Sequence, residues 1–213
     1  MKYNTVIFDF DGTIADSEQS MLRAINTLAE EFRFKPLLDA EIPTLRRMSA
    51  RTFIRRRLHM SLWNPRRLLR FEKRSREEFE KRTEKIKAFP GMIELLSKLR
   101  AAGRQVGIVS SSQKDSIDTL LGENDTAVDF IRAEVGMFRK AQAIKKVLKQ
   151  YKINKGAAVY VGDELRDAGA SRRAGIPMIG VGWGLNDTPS LVRARIEVAS
   201  TPEELFSMIT RHQ

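Results

Sequence analysis

Asp9 and Asp11 stand two residues apart at the end of the apolar run "TVIFDF", and Gly12 follows immediately. Burying one carboxylate is costly without a partner, and a second acid nearby repels the first. Such a pair calls for a positive partner, and a metal ion would serve. More acids follow in "GDELRD", where Asp163 and Asp167 lie four residues apart, a spacing that sets both on one side of a helix start. Mg²⁺ takes a few hard oxygens of this kind and keeps waters of its own. Three hydroxyls, Ser110 to Ser112, close the run "QVGIVS", and Lys140 opens a helical pattern in "GMFRKAQAIKKVL" with Arg139 beside it. Taken alone, "DELRD" reads more readily as a capped, solvated helix start, and "SSS" equally well as a cap for the segment from Gln113.

These groups need elements to hold them. "TVIFDF", "QVGIVS", "AAVYVG" and "MIGVG" are short, almost continuously apolar and rich in β-branched residues, the pattern of strands covered on both faces. Helical patterns separate them: "MIELLSKLRAAG" ends at Gly103, "KAQAIKKVLKQY" starts at Lys140, and "RDAGASRRAG" ends at Gly175. Alternating strands and helices predict an α/β fold with a doubly wound parallel sheet. In such a sheet ligands bind beyond the carboxyl ends of the strands, where strand order reverses. Asp9, Asp11, Ser110, Asp163 and Asp167 all fall at strand ends by this reading.

Residues 17–87 break the alternation. Met21, Leu22, Ile25, Leu28, Ala29 and Phe32 repeat at helical spacing, and Leu68, Phe71, Ser75 and Phe79 do so again after a start at "NP", Asn64 and Pro65. The expected organisation is an α/β core from 1–16 and 88–213, with an all-helical insertion at 17–87. Its hinges fall near Ala15 to Ser17 and in "KAFPG". Charge singles out the same segment. Between Leu45 and Arg76 stand twelve arginines and lysines against Glu72 alone, so this stretch carries the whole net charge of +11.

The ordered set of "DFDGT" after a strand, a serine closing the next strand, a lysine opening a helix and "GDELRD" after a later strand resembles the four motifs of the haloacid dehalogenase superfamily. The helical insertion after the first motif, with "DGTIADS", "FPGM" and "YVGDELRDAGASRRAGI", is similar to its phosphoglycolate phosphatase-like branch, whose core is Rossmann-like and whose insertion is a cap. The resemblance implies a Mg²⁺-dependent phosphatase acting on a small phosphorylated metabolite through an aspartyl phosphate. Asp9 is then the nucleophile and Asp11 the proton donor and acceptor; a carboxylate at Asp11 marks phosphoryl transfer and is lacking in dehalogenases. Asp163 and Asp167 hold the metal with the side chain of Asp9 and the backbone carbonyl of Asp11. Gly12, Thr13, Ser110 and Ser111 bind phosphoryl oxygens. Lys140, with Arg139 as the alternative, neutralises the phosphoryl group; the family's usual glycine-lysine-proline setting is missing here. Arg46, Arg47 and Arg51 lie where a cap loop reaches the core in relatives and are candidates for meeting an anionic leaving group. Trp183 is read as core or rim packing.

Two other functions remain open at this level. A phosphomutase of the same branch would use the same residues, and a polyanion-binding protein would keep the core idle. The basic stretch would attract nucleic acid, acidic lipid or an acidic protein, although no aromatic platform accompanies it and most of its arginines read as solvated surface. The lack of cysteine excludes disulfides and thiolate metal sites and fits a reducing cytosol. With no apolar run of spanning or signal length, the expectation is a soluble cytoplasmic protein.

Overall fold

A computed structural model describes residues 3–83, 86–136 and 139–211. Met137 and Phe138 of "GMFRK" and the two residues at each terminus lie outside the described residues, as do 84 and 85. Among the described residues six strands form one wholly parallel sheet in the order β3-β2-β1-β4-β5-β6. The predicted strands are β1 (Thr5–Phe8), β2 (Gln105–Val109), β4 (Ala158–Gly162) and β5 (Met178–Val181). Two more close the edges, β3 (Phe130–Arg132) and β6 (Glu197–Ala199). Each is three residues long and carries an exposed charge, Arg132 or Glu197, because an edge strand is not buried on both sides. That removes the apolar run on which strand recognition depends.

Side chains alternate along the central strands and so divide between two cores. Val6, Phe8, Val159 and Val161 pack with α5 (Met92–Ala101), α6 (Lys114–Leu121) and α10 (Pro202–Thr210). Ile7, Ala158 and Tyr160 face the other way, onto α7 (Lys140–Gln150) and α8 (Leu165–Ala174). The short α9 (Thr188–Arg193) precedes β6.

Between β1 and α5 the chain is helical: α1 (Glu18–Asn26), α2 (Ile42–Leu45), α3 (Ala50–Arg56) and α4 (Pro65–Glu80), with a 3₁₀ turn at Asp39–Glu41. These bury a third cluster built on Ile25, Leu28, Phe32, Leu45, Ile54, Leu58 and Phe71. Phe32 meets Phe71 edge-on, ring centroids 5.1 Å apart, and burying each such side chain contributes roughly 1.5–3 kcal/mol. Asn64 caps α4 by accepting from Arg67 N–H, and Pro65 fills its first position. The helical reading through Phe32 overshoots, since α1 stops at Asn26 and turns follow. Thr27 Oγ1 takes the Ala24 carbonyl and Asn26 clamps Leu37 through both its N–H and its C=O. Local side-chain bonds thus compete with helix continuation.

The two crossings between this segment and the sheet run side by side. Asp16 N–H bonds the Lys87 carbonyl at 2.9 Å and Phe89 N–H the Ile14 carbonyl at 2.8 Å, around a bridge between Ala15 and Ala88. Among the described residues no helix is long and apolar enough to cross a membrane.

Candidate active site

Strand order reverses between β1 and β4, so the C-terminal ends of those two strands form the crevice in which an open α/β sheet binds its ligand. Asp9 follows β1, Asp163 follows β4, and Asp167 stands in the first turn of α8. Carboxylate oxygens of the three lie within 4.8 Å of one another and all three side chains are buried. Lys140, the first residue of α7, reaches in from the side and places Nζ 2.6 Å from both Asp9 Oδ2 and Asp167 Oδ1. Arg139 does not approach these acids. It lies in a separate groove beside Arg132 and Lys146.

The Lys140 ammonium, together with an Arg166 guanidinium that is itself paired to Glu164, does not balance three buried carboxylates. Burial pushes the Asp9 carboxyl up to about 7 against the pull of Lys140. Asp163 is raised as well, by burial first and then by Glu164 and Asp167. Burial also works against the Lys140 charge, but Asp167 and Asp9 outweigh it and hold the ammonium above its ordinary range. Hard oxygen donors converging with surplus negative charge fit a divalent cation, and Asp9, Asp163 and Asp167 are the residues that could hold it.

Glycines make the convergence possible. Gly12 has φ +72, and a Cβ there would fall 2.1 Å from Asp163 Oδ2. Gly184, from the loop after β5, also packs against Asp163, and a Cβ there would lie 2.2 Å from Asp163 Cβ and 2.4 Å from the Gly12 carbonyl. Asp163 is then fixed by Thr13 Oγ1, which donates to Oδ1, and by Leu185 N–H, which donates to Oδ2 at 2.7 Å.

Asp11 occupies a different position. Its carboxylate stands outside the three-acid cluster and on the wall of a cavity of about 210 Å³ between the strand ends and the helical segment. Ser112 Oγ donates to its Oδ2, while Oδ1 is buried with no hydrogen-bond partner. Burial raises this carboxyl, and the hydroxyls of Ser112 and Ser17 beside it pull it back. Ser111, Glu164 and Arg166 line the same cavity, with Arg166 paired to Glu164.

The structure gives several of the expected residues contacts that the motifs did not indicate. The Thr13 hydroxyl serves Asp163, and Ser110 is fully buried with Oγ accepting from Ser112 N–H at 3.0 Å; neither lines the cavity. Ser112, not Ser111, contacts Asp11. Arg46 is bound bidentately by Glu18, Arg47 pairs with Asp187 at 3.2 Å, and Arg51 is exposed; none of the three lines the cavity. The arginine of this stretch that does so is Arg76. Trp183 packs near Phe89 and donates Nε1–H to the Thr13 carbonyl at 3.0 Å, which agrees with a packing role.

Asn186 was not foreseen. It is buried, accepts from Leu165 N–H at the start of α8, and donates Nδ2 to the carbonyls of Arg46 (2.7 Å) and Met48 (3.0 Å). One side chain therefore ties the start of α8 to the helical segment. The only local signal was its place in "GLND" after a strand, which also reads as an ordinary turn.

Residues 6–181 match the haloacid dehalogenase-like hydrolase family. The chain belongs to that family. This haloacid dehalogenase-like hydrolase is 32% identical over 209 residues to the phosphoglycolate phosphatase of Synechococcus elongatus, with 97% of each chain covered. It is 27% identical over 212 residues to the phosphoglycolate phosphatase of Xanthomonas campestris, with 93% of each covered. Among solved structures, a predicted phosphatase from Clostridium acetobutylicum superposes with a TM-score of 0.80 at 19% identity, covering 98% of this hydrolase and 99% of that chain. A haloacid dehalogenase-like family hydrolase from Streptococcus pneumoniae gives 0.75 at 19%, with the same coverage. Those likenesses show a shared fold over 98% of its length.

Proposed function

We propose that this enzyme is a Mg²⁺-dependent phosphatase that hydrolyses a small phosphate monoester in two steps, using Asp9 as nucleophile. The observation that carries the reading is the division of labour between two acids on one loop. Asp9 is held by Lys140 among the cluster acids, while Asp11 faces the cavity with one oxygen free of partners. Relatives described as phosphoglycolate phosphatases support the substrate class.

In the first step an Asp9 oxygen attacks phosphorus, the bond to the ester oxygen breaks, and that oxygen leaves as an alcohol with a proton from Asp11. In the second, water attacks the aspartyl phosphate, Asp11 takes its proton, and Asp9 is regenerated with release of phosphate. Splitting one displacement into two lowers the barrier of each, and one carboxyl acts as acid and then as base. Lys140 orients Asp9 and supplies fixed positive charge beside the transferred group. A bound Mg²⁺, held by Asp9, Asp163 and Asp167, would neutralise phosphoryl charge. Residues 17–87 act as a cap over this site, with the paired crossings at Asp16 and Phe89 as its hinge.

Phosphate release from a panel of phosphorylated metabolites, including 2-phosphoglycolate, with and without Mg²⁺, tests the reading. The expected result is magnesium-dependent release that falls by roughly a thousandfold or more in Asp9→Asn. Equal release by that variant, or transfer of the phosphoryl group to a sugar in place of water, would overturn it.

A further inference from the structure

Five buried side-chain atoms among the described residues lack a hydrogen-bond partner: Asp11 Oδ1, Ser75 Oγ, Glu80 Oε1, Arg104 Nε and Arg166 Nε. All except Arg104 belong to residues that line the cavity of about 210 Å³ under the cap. Buried polar atoms are rarely left unsatisfied, so four around one space point to what should fill it. Asp11 and Arg166 stand on the core side, where the phosphoryl chemistry is placed. Ser75 and Glu80 stand on the cap side, far along α4.

The cap wall has a definite character. Helix α4 turns Glu72, Ser75, Arg76, Phe79 and Glu80 toward the cavity, the spacing of a single helical face. Leu22 and Ile25 of α1 and Phe53 and Ile54 of α3 complete it with apolar surface. Arg76 is the one cation on this wall among the described residues, and it stands 3.8 Å from Glu72. Glu18 is occupied by Arg46 at 2.6 Å. Glu80 forms no ion pair within 4.0 Å among the described residues; its burial raises its carboxyl against the attraction of Arg76 and a hydrogen bond from Gln113, and its Oε1 has no partner. A short hydroxy acid placed here would leave the apolar walls uncovered and bring a new carboxylate against Glu72 and Glu80. A hydroxyl or ammonium would instead find an acceptor waiting.

We propose that the cap side of the cavity is a leaving-group subsite for a mostly apolar alcohol bearing a hydroxyl or ammonium donor, received by Ser75 Oγ and Glu80 Oε1, and that it disfavours carboxylate-bearing leaving groups such as glycolate. The proposal rests on the phosphatase reading and departs from the substrate for which the relatives are named.

Hexyl phosphates carrying methyl, hydroxyl, ammonium or carboxylate at the far end, with 2-phosphoglycolate beside them, test it on the full chain with Mg²⁺. The quantity read is kcat/KM for wild type, Ser75→Ala and Glu80→Gln. The hydroxyl and ammonium esters should exceed the methyl and carboxylate esters by about tenfold, the scale of one buried polar group satisfied or left unpaired. Glu80→Gln should erase the preference for ammonium over methyl, and Ser75→Ala should lower the hydroxyl ester relative to the methyl one. The wild-type order alone is decisive, so a variant that fails to fold leaves the test standing. If the carboxylate ester or 2-phosphoglycolate is preferred, or if the order is the same in both folded variants, the unpartnered atoms serve water and the subsite is overturned while the phosphatase stands. No release from any ester, or equal release by Asp9→Asn, overturns the phosphatase reading and the subsite with it.

Discussion

Lys140 Nζ lies 2.6 Å from Asp9 Oδ2 across 131 positions of sequence, both side chains being almost entirely buried. The same ammonium holds Asp167 Oδ1 at 2.6 Å, so one cation joins the end of β1 to the start of α8. Removing either partner of a buried pair leaves an uncompensated charge, which costs far more than the pair contributes.

Lys140→Met should therefore destabilise the protein by about 3–5 kcal/mol in the absence of Mg²⁺. Urea unfolding measures this directly. Saturating Mg²⁺ should offset part of the loss, since it supplies charge to the same acids; a variant as stable as wild type in EDTA would remove Lys140 from this role.

The pH dependence of the cation-free protein follows from Asp9. Burial raises its carboxyl from 3.8 to about 7, against the pull of Lys140. Between those values the folded protein binds a proton that the unfolded chain has lost, so its contribution to stability is complete below about 4 and disappears as pH rises through about 7. Urea midpoints in EDTA should fall across that window in wild type and less so in Asp9→Asn. Mg²⁺ binding requires the carboxylate and should release protons below pH 7, which calorimetry in buffers of different ionisation enthalpy would detect. Identical pH profiles for the two proteins would refute the assignment.

Gly184→Ala should weaken Mg²⁺ binding by about tenfold or more, because its Cβ has no room beside Asp163 and support of a ligand is commonly worth 10–100-fold in metal affinity. A magnesium titration of activity reads the effect. Unchanged half-saturation would mean that the loop after β5 yields without moving Asp163.

Asn186→Ala leaves Leu165 N–H and the carbonyls of Arg46 and Met48 without their partner. The expected loss is about 2 kcal/mol of stability, accompanied by a KM that rises more than kcat falls, since the cap is less often closed on the core. Equal changes in both constants, or none, would deny Asn186 a part in holding the cap.

The resemblance carried by four ordered motifs and the alternating pattern agrees with both the family match and the sheet. Short motifs could show this much because a strand buried on both faces must be apolar throughout, and because a strand end that presents acids cannot disguise them. Asp9, Asp163 and Asp167 come together, and Lys140 joins Asp9 and Asp167, as their places in that order suggested. Edge strands β3 and β6 escaped notice, having one neighbour and partial exposure. In the helical segment composition marked Arg46, Arg47 and Arg51, none of which lines the cavity, and the fold turned Arg76 toward it.

By itself, then, the sequence determined which chemical groups stand at strand ends, since periodicity and residue type act locally. Only the tertiary structure decided which of them meet. Lys140 could be separated from Arg139 only by the rotation of α7, Ser112 from Ser111 only by the turn after β2, and Asn186 and Gly184 acquired their contacts from a loop more than 130 residues away from the cap and β1 elements they touch. Local sequence sets a side chain's direction on its own element; packing between distant elements sets what it faces.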